Sequence, residues 1–213
     1  MSLSYSERRR LLDTALARHR ATMRGVVLEV GAGRRGRRGR FTPPTAGVVR
    51  WWMVDLSSSV RPDIAADVAA LPVRTAGVDT AVVLEVLEYV VDPTAALGEL
   101  HRVLAPGGHV VLSVPFIHRV DTGADRWRFS EPGLRHALAV AGFEVVLVEP
   151  QGGLFTAIAH LVCATAAQRR RRSARWLLGA LALPLVGLAR LEPWVGGGRT
   201  PEASTGYLAI ARK

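Results

Sequence analysis

Apolar residues along this chain fall into short runs that stop at glycine or an acidic residue, the pattern of buried strands in an α/β sheet. Val26–Val30 is the first run and breaks into Gly31-Ala32-Gly33. Val48–Val54 is the second and stops at Asp55. A short strand is predicted near Ile64. Longer ones are predicted at Thr80–Leu84, His109–Val114, Phe143–Val148 and Gly206–Ala211. Between the runs the spacing turns helical. Residues 5–22 place Leu11, Leu12, Ala15 and Leu16 on one face, with Arg8, Arg9, Arg10 and Arg18 pointing away. Pro93–Leu104 predicts a helix with proline at its start, stopped by Pro106-Gly107-Gly108. Ser130 reads as the N-cap of a helix through Ala141, ended by Gly142. The Arg- and Gly-rich stretch 34–46, with Pro43-Pro44, predicts a short helical turn and a loop. Pro115–Phe129 predicts a polar loop. Strands alternating with helices argue a parallel sheet.

Residues 154–191 depart from the alternation. Leu154–Ala167 is apolar, Arg169–Arg172 with Arg175 is basic, and Trp176–Ala189 is apolar again around Pro184. Two apolar helices about a basic elbow suit peripheral contact with an anionic membrane, a cap on the sheet, or a dimer face. Neither segment reaches the length of a membrane span. The expected organisation is an N-terminal basic helix over 1–24, then one domain over 25–213 with a helical insertion at about 153–192.

Charge sharpens this picture only in part. Residues 1–50 hold 12 Arg against 3 acids and residues 151–213 hold 9 cations against 2, whereas residues 51–150 hold 7 Arg against 13 acids. Basic ends suit nucleic acid, anionic lipid or phosphorylated substrates. Yet Lys213 is the only lysine, and arginine dominance also follows from a GC-rich coding sequence. One cysteine, Cys163, excludes an internal disulfide framework, and no His/Cys cluster has metal-ligand spacing. The amino end has no apolar signal region, so the expected compartment is the cytoplasm, with peripheral attachment at the inner face of the membrane as an extension.

Gly31-Ala32-Gly33-Arg34-Arg35-Gly36 satisfies GxGxxG, which alone would also suit a dehydrogenase. The motifs beyond it point elsewhere. Ala66-Asp67-Val68-Ala69-Ala70-Leu71-Pro72-Val73, Val78-Asp79, Leu84-Glu85-Val86-Leu87-Glu88-Tyr89-Val90, Asp92-Pro93, Arg102-Val103-Leu104-Ala105-Pro106-Gly107-Gly108 and Ala141-Gly142-Phe143-Glu144 succeed one another in unbroken order. The ordered set resembles the class I S-adenosylmethionine-dependent methyltransferases of the small type 11 (UbiE-like) group, over about residues 25–150. The resemblance implies a Rossmann-like α/β fold. Its seven-stranded, mostly parallel sheet has order 3-2-1-4-5-7-6, with strand seven antiparallel and helices on both faces.

It also implies roles. Gly31, Ala32 and Gly33 would let the backbone approach the methionine part of the cofactor, S-adenosyl-L-methionine. Glu29 would orient that loop or reach the cofactor amine through water. Asp55, followed by Leu56, would accept from the ribose hydroxyls. Asp67 would accept from the adenine amino group, with the Val68 amide donating to the ring. Leu84 and Glu85 would border the methyl, although Glu85 also reads as a helix-start acid. Glu88 reads as structural. Two positions depart from the group's pattern: the glycine loop carries Arg34, Arg35, Arg37, Arg38 and Arg40, and Tyr89 stands where the group has histidine.

Methyl transfer from a sulfonium needs positioning above all, and a hydroxyl acceptor also needs a base. The candidates lie after the fifth strand: His118, Asp121 and Asp125, with His118 and Asp125 favoured. Asp125-Arg126-Trp127-Arg128-Phe129-Ser130 resembles an element of methyltransferases associated with sugar and cell-surface polymer assembly. Tyr89, Trp127 and Arg128 would then contact a small-molecule or glycan acceptor, Trp127 by stacking and Arg128 by holding a phosphate or carboxylate. No N/D-PP-Y/F/W comes after the fourth strand, which disfavours amino methylation of adenine or glutamine. An RNA-associated methyltransferase is the alternative that the basic ends suggest, with few aromatics for stacking against it. A non-catalytic cofactor-binding or membrane-peripheral scaffold is another. Oligomeric state is left open by the sequence.

Overall fold

A computed structural model describes residues 6–33, 39–168, 172–195 and 203–213. The arginines at 34, 35, 37 and 38 and the elbow at 169–171 lie outside them. In chain order the elements are α1 (Glu7–Arg18), β1 (Gly25–Val30), β2 (Val48–Asp55), β3 (Ile64–Ala65), β4 (Val78–Leu84), α2 (Pro93–Val103), β5 (Leu104–Pro115), α3 (Glu131–Val140), β6 (Glu144–Pro150), α4 (Leu154–Gln168), α5 (Arg172–Val195) and β7 (Gly206–Arg212). The sheet order is β3-β2-β1-β4-β5-β7-β6, and only β7 runs antiparallel to its neighbours. Strand order, strand count and the antiparallel strand agree with the resemblance.

Alternation along the central strands splits the core in two. Leu28, Val30, Ala81, Val83, Val110 and Leu112 face α2 and α3, where Ala96, Leu97, Leu100, Leu134 and Leu138 meet them. Val27, Val82, Val111, Leu208 and Ile210 face the other way and are covered by Leu12, Ala15 and Leu16 of α1, with Met23 and Phe41. The sheet is thus buried on both faces, as parallel strands require.

Three local results differ from the expected pattern. First, β5 begins at Leu104 rather than His109. Pro106-Gly107-Gly108 does stop α2, but the turn pairs with the end of the chain. The Gly107 amide donates to the Lys213 carbonyl at 3.0 Å, and the Lys213 amide donates to that of Gly108 at 3.0 Å. Second, α5 spans Arg172–Val195 rather than Trp176–Ala189; Pro184 within it sits on an exposed face where a lost backbone bond is solvated. Third, Arg8 does not point away with its neighbours. It lies four residues before Leu12 and eight before Leu16, on the buried stripe, and its side chain is only 11% exposed.

Helices α4 and α5 pack on each other between β6 and β7. The far end of α5 closes the start of α4. Glu192 accepts from the amides of Gly153 at 3.0 Å and Phe155 at 2.8 Å, and from the Thr156 hydroxyl at 2.9 Å. A carboxylate here satisfies orphan donors and matches the helix dipole. Among the described residues no helix is long and apolar enough to cross a membrane.

If α1 is integral to the core, Leu16→Ala, at a fully buried site, will lower the stability of the full chain by about 2–5 kcal/mol in chemical denaturation. A loss below about 0.5 kcal/mol would show a helix that merely rests on the sheet.

Candidate active site

Strands β1, β2 and β4 end side by side: Val30 pairs with Val54 on one side and with Val83 on the other. The chain leaves β1 through Gly31 at φ +67°. A Cβ at that position would collide with the Val86 side chain, so glycine is required there on two counts. Gly33 also has positive φ, and nothing lies within 4 Å of where its Cβ would be. Its amide donates to Asp55 Oδ2 at 2.9 Å, while the Ser57 amide donates to Asp55 Oδ1 at 2.9 Å. Each carboxylate oxygen keeps a further lone pair for a hydroxyl. Leu56 is 75% exposed, whereas Ala32 and Val68 are buried. Asp67 Oδ1 receives the Ala69 amide at 2.9 Å. Glu29 is buried on the α1 side of the sheet and accepts from Trp51 Nε1 at 2.7 Å. The open backbone at Gly33, the spare acceptors of Asp55 and the exposed apolar Leu56 fit a nucleoside with an attached amino acid.

Just beyond Val86 in the chain lies a cavity of about 260 Å³, at the ends of β4 and β5. It is lined by Arg8, Glu85, Glu88, Tyr89, Pro115, His118, Arg119, Asp121 and Asp125. Glu85 has φ +59°, a left-handed conformation rare outside glycine and typical of positions held for a reason other than stability. Its carboxylate is clamped by Arg8 and by the Ser113 hydroxyl, the latter at 2.8 Å. Burial pushes its pKa up, but Arg8 and the two hydrogen bonds outweigh burial and hold it below the usual carboxylate value.

Glu88 behaves in the opposite way. It is 2% exposed, and its Oε2 has no hydrogen-bond partner among the described residues. Burial, with the negative charge of Glu85 added, pushes its pKa up to about 8. Tyr89 donates its hydroxyl to Asp121 Oδ2 at 3.4 Å and is pushed up to about 12 by burial and by the surrounding acids, Glu88 first.

His118 Nδ1 lies 2.6 Å from the Arg119 carbonyl. A carbonyl only accepts, so Nδ1 carries the proton and Nε2 is left as an acceptor. Burial and the positive charge of Arg8 lower the His118 pKa, which keeps the ring neutral at pH 7. His160 of α4 stacks on it with ring centroids 4.8 Å apart. His160 is itself buried, and burial and His118 pull its pKa down to about 4.

Asp125 is held by Arg128, whose Nη2 is 2.7 Å from Oδ2. That hydrogen bond pulls its pKa down to about 2. Arg128 also donates to the Arg119 carbonyl at 3.0 Å, so its guanidinium is occupied within the loop. Trp127, 40% exposed, donates its Nε1 to the Val90 carbonyl at 2.9 Å. Neither Trp127 nor Arg128 lines the cavity, whereas Glu85, Tyr89, His118 and Asp125 do. Sequence reasoning missed Arg8, Arg119 and His160 and set Glu88 aside. Only Arg8 had a readable signal, its place on the apolar stripe of α1.

Known proteins share this fold. Residues 5–148 match the family described as methyltransferase domain. No curated protein matches the sequence. Among solved structures, an S-adenosylmethionine dependent methyltransferase from Mesorhizobium loti is 17% identical over 94% of this chain and 96% of its own, with a TM-score of 0.58. One from Archaeoglobus fulgidus is 14% identical over 96% and 94%, with a TM-score of 0.57. A Burkholderia thailandensis 1,6-didemethyltoxoflavin-N1-methyltransferase with bound S-adenosylhomocysteine is 21% identical over 99% and 79%, with a TM-score of 0.54. These likenesses are of fold.

The raised pKa of Glu88 sets a stability test. From the ordinary carboxyl value of 4.5 up to about 8 the unfolded chain is ionised at this residue while the folded chain is not, so folding loses free energy as pH rises through that window. Glu88→Gln removes the effect. Its melting temperature will pull ahead of the wild type between about pH 4.5 and pH 8, then run parallel, with a total gain of up to a few kcal/mol. Curves that stay parallel throughout would show an ordinary carboxyl.

Proposed function

We infer the reaction from one premise: the chain belongs to the methyltransferase domain family and is an S-adenosylmethionine-dependent transferase of one-carbon groups. The ordered motifs over residues 25–150 support a place in its type 11 group. S-adenosylmethionine, when bound, supplies a methyl already activated on a sulfonium. Gly31, Ala32 and Gly33 would admit its amino-acid part. Asp55 would take the ribose, Leu56 and Val68 the adenine faces, and Asp67 the adenine amino group, with Glu29 and Leu84 fixing the two strand ends around it.

The acceptor is a hydroxyl of a small molecule or of the terminal sugar of a glycan. The observation that carries this reading is His118. Its Nδ1 proton is spent on the Arg119 carbonyl, so Nε2 is left as the acceptor of a ring that lines the cavity. His118 takes the hydroxyl proton as the oxygen gains the methyl. Asp125 is the poorer base, because Arg128 holds it near pKa 2. A cavity of about 260 Å³ falls just short of the ~300 Å³ at which drug-sized pockets begin, which suits a single ring.

A lipid-linked acceptor has its own support. Leu177, Leu181, Leu183, Leu188 and Leu191 of α5 and Leu154, Ile158 and Leu161 of α4 are exposed, and the basic elbow lies between the two helices in sequence. This face would rest on an anionic membrane while the cavity receives the sugar.

His118→Ala will lower kcat for methylation of pyranosides or phenols by roughly 10²-fold or more while leaving S-adenosylhomocysteine affinity unchanged. In the wild type, kcat will fall on the acid side with a midpoint below the ordinary 6.5, since the base works only when neutral. An unchanged kcat in the variant removes His118 from the mechanism. For the membrane face, co-sedimentation with anionic liposomes at low salt will retain the wild type and lose a Leu181→Glu/Leu188→Glu variant. Wild type left in the supernatant excludes the contact.

A further inference from the structure

Four acids line the cavity, and three of them are answered by an arginine. Glu85 is clamped by Arg8. Asp121 lies 2.6 Å from Arg119. Asp125 is held by Arg128. Glu88 has no ion-pair partner and no donor to Oε2 among the described residues, although it is buried. Leaving a buried polar atom unpaired costs stability, typically ~1–3 kcal/mol, so native chains keep few such atoms. The Glu88 carbonyl receives the amides of both Arg126 at 2.7 Å and Trp127 at 3.2 Å, which pins this turn to the loop over it.

We propose that Glu88 is a specificity residue that hydrogen-bonds a second hydroxyl of the acceptor, so that the substrate class is a small uncharged polyol such as a pyranose. This rests on the O-methylation reading, in which His118 receives the first hydroxyl. The choice lies between a hydroxyl and a cation. Arg8 and Arg119 line the same cavity but are each already paired with an acid, so the state of Glu88 itself decides the matter. With Glu85 beside it, Glu88 keeps its proton up to about pH 8. A protonated carboxyl offers one donor and several acceptors, and a hydroxyl both gives and takes, so the two match without an ion being stripped of water. The cavity volume places both hydroxyls on one ring-sized molecule. The groups whose charge bears on Glu88 are Arg8 of α1, Glu85 and Tyr89 on its own turn, and His118, Arg119, Asp121 and Asp125 after β5.

The test is calorimetric titration of the full chain, saturated with S-adenosylhomocysteine, with methyl α-D-glucopyranoside, methyl α-D-galactopyranoside, methyl α-D-mannopyranoside and their monodeoxy counterparts. In the wild type at pH 7, at least one parent sugar will bind about tenfold or more tightly than one of its deoxy analogues. Glu88→Leu will shrink that ratio to within about twofold, and Glu88→Gln, which keeps a donor and an acceptor, will retain most of it. Unchanged S-adenosylhomocysteine affinity will show that each variant is folded. Should the leucine variant not fold, pH replaces it: the wild-type ratio will decline above about pH 8, and that of Glu88→Gln will not. A ratio that Glu88→Leu leaves intact, or that ignores pH, overturns the proposal, as does failure of every pyranoside to bind at millimolar concentration. A sugar that binds through Glu88 yet is never methylated overturns the O-methylation reading and leaves Glu88 in its role.

Discussion

The ion pair between Arg8 and Glu85 organises this end of the sheet. It joins residues 77 positions apart, one on the helix that covers the α1 face and one just past β4. Removing one partner of such a buried pair leaves a charge with no compensation, which typically costs 3–5 kcal/mol, far more than the intact pair contributes. The pair therefore acts mainly by fixing geometry. It holds Glu85 in a left-handed conformation that the backbone alone would avoid. It also sets the charge of the cavity. The negative charge of Glu85 adds to the burial that raises the Glu88 pKa, and the positive charge of Arg8 adds to the burial that lowers that of His118. Burial first, and these charges second, raise the Glu88 pKa and lower that of His118 within the same small space.

Much of the fold was legible because its punctuation is local. Gly31 must tolerate positive φ, Asp55 must end a strand, and Pro93 must open a helix, and each leaves a trace in a few neighbouring residues. The ordered motifs between residues 66 and 108 then fixed the strand order by resemblance. The partners of the charged groups were not legible. Arg128 and Asp125 are three residues apart, and either could have met substrate; only the folded loop turns them on each other. Arg8 was concealed in a run of arginines. Its i+4 and i+8 relation to Leu12 and Leu16 marks it as inward, but no spacing rule names Glu85 as its target. The early start of β5 depends on the pairing of Leu104 with Val78 of β4 and on backbone bonds from the glycine turn to Lys213, which no local pattern around Pro106 predicts.

The cavity proposed for the acceptor is assembled from parts with different origins. Glu85, Glu88 and Tyr89 belong to the turn after β4, and His118 to Asp125 come after β5, all within the segment that matches the family. His160 does not, because α4 lies beyond residue 148. Its ring nevertheless stacks on His118 and, being itself largely uncharged above pH 4, adds bulk without adding charge. Methyl transfer depends on alignment more than on elaborate chemistry, so a wall that immobilises one imidazole has leverage out of proportion to its contacts.

Glu192 gives this wall an unusual attachment. The α4–α5 hairpin is closed on itself by one carboxylate at its open end, where the chain leaves β6 and later returns towards β7. A unit tied at its own neck carries its internal order with it, while β5, β6 and β7 hold one another through their own backbone ladder. Selection can therefore reshape or replace the hairpin, and with it the surface presented to acceptors and their surroundings, without renegotiating the sheet or the nucleoside seat. On this view the hairpin and the sheet are two separable parts of the enzyme, one free to change while the other keeps its shape.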